Sequence, residues 1–115
     1  MKRLLLHLAG SAVPGEPGMR GALRVALNAR EQMPDVEIEI IVQGPAVAQL
    51  RAGGGLAREI RGLLGGPGMV VSACANSMRS IDLSPRDLEP GVGVVPAAVS
   101  HLTQAQFEGA AYVRI

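Results

Sequence analysis

Met69-Val70-Val71-Ser72-Ala73-Cys74-Ala75-Asn76-Ser77-Met78-Arg79-Ser80 is the stretch on which the reading of this chain turns. Met69 to Ala73 is short and apolar and follows the breakers Gly65-Gly66-Pro67-Gly68, as a strand buried on both faces of a parallel sheet would. From Ala75 the residues turn small and polar and read as a short helical turn. A strand that runs straight into a helix start is the building unit of α/β proteins, and the C-terminal end of such a strand is where they place their chemistry. Cys74, the only cysteine among 115 residues, stands at that junction. Backbone N–H groups at a helix start stabilise a thiolate, so Cys74 is expected at the sheet's edge, accessible and more nucleophilic than a free thiol.

The same alternation extends in both directions. Arg3 to Ala9 reads as a first buried strand, and Gly10 to Gly18 as a loop dense in breakers. Met19, Leu23, Ala26 and Leu27 then share one helical face, with Arg20, Arg24, Asn28 and Glu31 on or near the other; this helix ends before Pro34. Val36 to Val42 alternates at period two before turning wholly apolar, which describes a strand entering a sheet. Gly44-Pro45 closes it, Ala46 to Leu50 is a short helical piece, and Leu56, Ile60, Leu63 and Leu64 form the stripe of a second amphipathic helix. Beyond Ser80, Ser84-Pro85 looks like an N-cap with proline at the first helical position, and Val92 to Val95 is a short fourth strand. Val99 to Glu108 is the last helix, with Val99, Leu102 and Ala105 inward and Gly109 as its stop, and Ala110 to Ile115 is the fifth strand. The expected fold is a single domain over 1–115, an α/β three-layer sandwich with a five-stranded, mostly parallel sheet and right-handed crossovers.

Composition narrows the function. The hydrophobic share of 48% is almost wholly aliphatic, with one Phe, one Tyr and no Trp, which suits sheet faces and leaves few platforms for stacking bases or sugars. Eleven basic against ten acidic residues give a net charge of +1, too little to attract phosphate backbones or anionic lipid, so neither nucleic acid nor membrane is expected as a partner. Met1 to Ala12 superficially resembles a signal peptide, but its apolar core is short and broken by His7, so it reads as a strand. A lone cysteine forms no intramolecular disulfide, which fits a reducing compartment and makes the cytoplasm the default. His7 and His101 have no partner at metal-ligand spacing, and Gly53-Gly54-Gly55 lacks both the dinucleotide spacing and the Walker pair, so neither metal nor cofactor is expected.

Three segments carry a resemblance: Ile40-Ile41-Val42-Gln43-Gly44-Pro45-Ala46-Val47, then Val71-Ser72-Ala73-Cys74-Ala75-Asn76-Ser77-Met78, then Leu88 to Ala97. With the closing Gln104 to Arg114 they resemble the DsrE/DsrF-like (YchN-like) family over nearly the whole chain, most specifically in Ala-Cys-Ala-Asn after a strand. The resemblance implies a small α/β subunit that assembles into homotrimers or homohexamers. It also implies that the cysteine at position 74 accepts sulfane sulfur and passes it on, between donor and acceptor proteins and without a cofactor. The chain departs from many relatives, which carry histidine before the Gly-Pro turn: Gln43 cannot act as acid, base or charged partner.

The site candidates are therefore Cys74 as nucleophile, with Asn28, Gln43, Gly44, Asn76, Ser77 and Arg79 as binding positions. Asn28 and Gln43 are expected to point toward one sheet edge, and Arg79 to turn back toward the sulfur. The leading expectation is a sulfur carrier or sulfurtransferase-type subunit holding a persulfide on Cys74. The alternative, favoured by Gln43, is a non-catalytic oligomeric module that binds a small ligand or protein at subunit boundaries. A third reading, a rhodanese-like enzyme using thiosulfate, rests on the spacing Cys74-x4-Arg79-Ser80 alone.

Overall fold

The structure, a computed structural model, describes residues 2–10 and 18–115. Its strands are β1 (Arg3–Ala9), β2 (Glu37–Gln43), β3 (Met69–Cys74), β4 (Gly93–Val95) and β5 (Ala111–Arg114). The helices are α1 (Met19–Gln32), α2 (Ala57–Leu64), α3 (Ala75–Arg79) and α4 (Ala98–Phe107), with 3₁₀ turns at Gly44–Leu50 and Pro85–Asp87. Among the described residues all four strand pairings are parallel and the order is β4-β3-β2-β1-β5, so the last strand runs parallel beside β1.

Order and handedness together decide where each helix lies. The chain steps outward from β1 to β2, β3 and β4, and right-handed crossovers keep the helices of such a run on one face. The step from β4 back across to β5 reverses direction and must use the opposite face. The core divides accordingly. Leu4, Leu6, Leu8, Ile38, Ile40, Val42, Val71 and Ala73 pack with residues of α1 and α2 on one side, while Leu5, Ile41 and Cys74 pack with Ala98, Leu102 and Ala105 of α4 on the other. Period-two alternation in the strands assigns these sets, because residues of opposite parity face opposite layers.

Two helix faces differ from expectation. Leu27 is exposed, and α1 buries Met19, Ala22, Leu23 and Ala26 instead. Val99 is 65% exposed, because α4 begins one residue earlier and turns Ala98, Leu102 and Ala105 inward. In each helix an alanine, Ala22 or Ala98, takes an inward place that the larger Leu27 or Val99 was expected to fill. The expected stop at Gly109 is present, with φ +98 directly after α4, and Ser84 precedes a 3₁₀ turn in which its N–H donates to the Asp87 carboxylate at 2.8 Å. The loop expected from Gly10 to Gly18 lies, over residues 11–17, outside the described residues.

Ile40 sits wholly buried in the middle strand of the sheet, between β1 and β3. Truncation there removes three methyl or methylene groups and leaves a cavity, so Ile40→Ala is expected to cost about 2–5 kcal/mol in urea unfolding. Leu27→Ala, at an exposed position, is expected to stay within about 0.5 kcal/mol of the parent.

Candidate functional site

Cys74 is the last residue of β3 and lies opposite Val95 of β4. After β3 the chain turns into α3, whose Met78 packs in the α1/α2 layer; after β4 it turns through Pro96 and Ala97 into α4 on the other layer. The crevice between β3 and β4 is thus the point at which successive connections leave for opposite faces, the place where open α/β sheets bind ligands. Two helix starts meet there. Burial pushes the Cys74 thiol up, but the N–H groups of Ser77, Ala98 and Asn76, together with the Ser77 hydroxyl, hold it below the ordinary cysteine value of 9.0.

The expectation of an accessible thiol at the sheet's edge is corrected. Cys74 is 2% exposed and packs among Leu5, Ile41, Ala98, Leu102 and Ala105, since β4 covers one flank of β3 and the first turn of α4 lies over its end. The groups that favour its thiolate are therefore protein donors.

Gly44 and Ser77 are brought together. The Gly44 N–H donates to Ser77 Oγ at 2.8 Å, which ties the turn after β2 to the segment that follows the cysteine. Gly44 has φ +75, and a Cβ there would stand 3.2 Å from the Gly10 carbonyl oxygen, so the turn requires glycine. Asn76 and Arg79 are also neighbours, but Arg79 donates to the Asn76 side-chain oxygen on the exposed side of α3 and does not turn back to the sulfur. Asn28 is not part of this end of the molecule. It is exposed on α1 two residues before Arg30, which donates to Met69 Sδ at 3.2 Å, at the start of β3.

Gln43, at the end of β2, joins two residues absent from the sequence-derived candidates. His7 Nε2 lies 2.8 Å from Gln43 Oε1, and His7 Nδ1 lies 2.6 Å from the Tyr112 hydroxyl. These side chains span β2, β1 and β5 on the α4 face of the sheet. The signal available in the sequence was His7 itself, a polar residue at an inward position of an otherwise apolar strand.

The chain matches no family model and no curated protein. It is similar in structure to MTH1491 of Methanobacterium thermoautotrophicum, a protein of unknown function, with a TM-score of 0.81 and 30% identity over all of both chains. It is similar to the YchN protein of E. coli with the same TM-score of 0.81 and 18% identity, again over all of both chains. The chain has a YchN-like fold. A third similar structure, the conserved protein BT1422 of Bacteroides thetaiotaomicron, also of unknown function, gives a TM-score of 0.70 at 19% identity over 96% of this chain and 94% of that one.

In this YchN-like domain the α4 face also buries a carboxylate. Glu39 is 3% exposed and accepts from Ser72 Oγ at 2.7 Å, from Arg3 at 2.5 Å and from His101 Nε2 at 2.9 Å, so α4 is held to the sheet by a polar contact besides its apolar ones. Burial raises the Glu39 carboxyl, but the bonds from Ser72, His101 and Arg3 outweigh it and leave the group below its ordinary 4.5. A carboxyl depressed in the folded state contributes stability that is present above the unfolded value and is lost as pH falls through the folded one. Glu39→Ala is expected to lower unfolding free energy at pH 7 by about 2–3 kcal/mol, less than for a fully buried pair because Arg3 and His101 are each 28% exposed at the side chain. Urea titrations should show that deficit shrinking as pH drops below 4.5.

Proposed function

We propose that the chain is a DsrE/DsrF-like sulfur carrier or sulfurtransferase-type subunit that holds sulfane sulfur as a persulfide on Cys74 and passes it to a partner thiol in the cytoplasm. The observation that carries this reading is a single thiol at the β3–β4 switch point whose negative charge is stabilised by donors from the starts of α3 and α4. The Cys74 thiolate attacks the outer sulfur of a donor persulfide; a new S–S bond forms as the donor's breaks, and the donor sulfur leaves as a thiolate. Attack by an acceptor thiolate on that outer sulfur restores the Cys74 thiolate. No net oxidation occurs, and no cofactor is required.

Intact-mass spectrometry of protein purified anaerobically without reductant is expected to show a one-sulfur adduct that dithiothreitol removes. Cys74→Ser should abolish it while preserving assembly, because the chain contains no other thiol. Sulfane sulfur retained by the serine variant would remove the carrier mechanism.

The near-complete burial of Cys74 favours a second reading, a non-catalytic module in which the thiol only lines a binding pocket at a subunit boundary. Absence of the adduct with assembly intact would support it. A thiosulfate-using enzyme is the least supported, since Arg79 bonds Asn76 and supplies no cation to the sulfur.

Both leading readings place the chain in a homotrimer or homohexamer. Phe107 at the end of α4 is 85% exposed, and Val99, Tyr112 and Val113 lie exposed on α4 and on the edge strand β5. Exposed apolar groups of this size on one helix and an open strand edge fit an interface. Light scattering is expected to give three or six copies for the parent at micromolar concentration, and Phe107→Asp to shift the population toward monomer.

A further inference from the structure

We propose that His7 is a positioning residue that fixes the Gln43 side-chain amide so that its NH₂ group donates to the charged sulfur carried on Cys74. This rests on the reading of Cys74 as the working thiol. Gln43 presents its oxygen, an acceptor, to His7 Nε2 at 2.8 Å, so a neutral imidazole must carry its proton there. Nδ1 is then bare and accepts the Tyr112 O–H at 2.6 Å. Each donor in this line points the same way, from the edge strand β5 through β1 to β2, and the line ends in the Gln43 NH₂ group.

The next strand along that direction is β3. The pairing of β2 with β3 ends at Val42 and Ala73; Gln43 and Cys74 are the next residue on each strand, so both stand on the face shared with α4, on strands spaced about 4.8 Å apart. His7 is 9% exposed and occupies an interior strand between β2 and β5, which holds its ring in place. An amide whose oxygen is already engaged loses the freedom to flip and present that oxygen to the sulfur. It offers only donors, the polarity that suits a thiolate or the outer sulfur of a persulfide and disfavours a carbonyl-like acceptor beside it. Hydrogen bonds arranged in one direction also polarise one another, so Tyr112 strengthens the last donor without touching the site.

The test is the pH profile of Cys74 alkylation by iodoacetamide, which reads the thiolate and needs no sulfane sulfur. Gln43→Leu is expected to slow alkylation near neutral pH about five- to tenfold, with the rate at high pH unchanged. His7→Phe should give a smaller loss in the same direction, and the double variant should match Gln43→Leu alone, since His7 acts only through Gln43. Tyr112→Phe keeps the ring on the exposed edge strand and is expected to slow alkylation about twofold, an effect that vanishes in the Gln43→Leu background. No change in Gln43→Leu, or a His7 or Tyr112 effect that persists without Gln43, would overturn the proposal. A shifted profile in a protein that never shows a sulfur adduct would retain this proposal and remove the carrier reading.

Discussion

A right-handed crossover that steps from β1 through β2 and β3 to β4 keeps its helices on one face, so the return from β4 to the far side of β1 has to cross the other. That constraint places α4 by itself over the second face and sets its first turn against the end of β3. Cys74 owes its surroundings to this. The donors from α3 come with the strand on which the thiol sits, but the Ala98 N–H arrives only because the chain changes faces one strand later. A different strand order with the same segments would leave the cysteine with one helix start instead of two.

A single ten-residue helix covers less of a sheet than a pair does, and the residues beneath it show the consequence. The α1/α2 layer meets leucine, isoleucine, valine and alanine almost throughout, whereas the α4 face carries Arg3, His7, Glu39, Gln43 and Ser72. Polar groups survive there because each finds a partner across neighbouring strands or on α4, and a buried carboxylate without Ser72, Arg3 and His101 would protonate or unfold its surroundings. Small inward residues on α4 follow from the same arrangement, since Ala98 and Ala105 let the helix approach a face whose own side chains are long.

Strand and helix segments were legible because their periods differ, and Gly and Pro clusters separate nearly every pair. Position along a strand was legible too: Cys74 falls where an apolar run ends. What escaped was anything decided by register between strands. Leu27 and Val99 have the size and apolarity of core residues, and only the packing of α1 and α4 reveals which side of each helix faces the sheet. His7, Gln43 and Tyr112 lie far apart in sequence and meet because β1 pairs with both β2 and β5, a fact no local pattern encodes. Asn28 lies away from Gln43 for the converse reason, since a polar residue on a helix says nothing about which end of the sheet it is near.

The burial of Cys74 and its stabilised thiolate oppose each other, and the structure shows how both can hold. Removing water from a thiolate costs more than removing it from a thiol, so burial alone would neutralise the sulfur. Here the lost hydration is replaced by N–H and O–H donors that are committed by the backbone: Ser77 is tied to Gly44, and Ala98 is fixed at the start of a helix that Glu39 and His101 hold to the sheet. Such donors cannot turn away when the charge changes, as water does, so they favour the charged form in advance of any reaction. The polar contacts that hold α4 in place thereby belong to the chemistry of the thiol as well as to the stability of the fold, because α4 supplies both the cover and one of the donors.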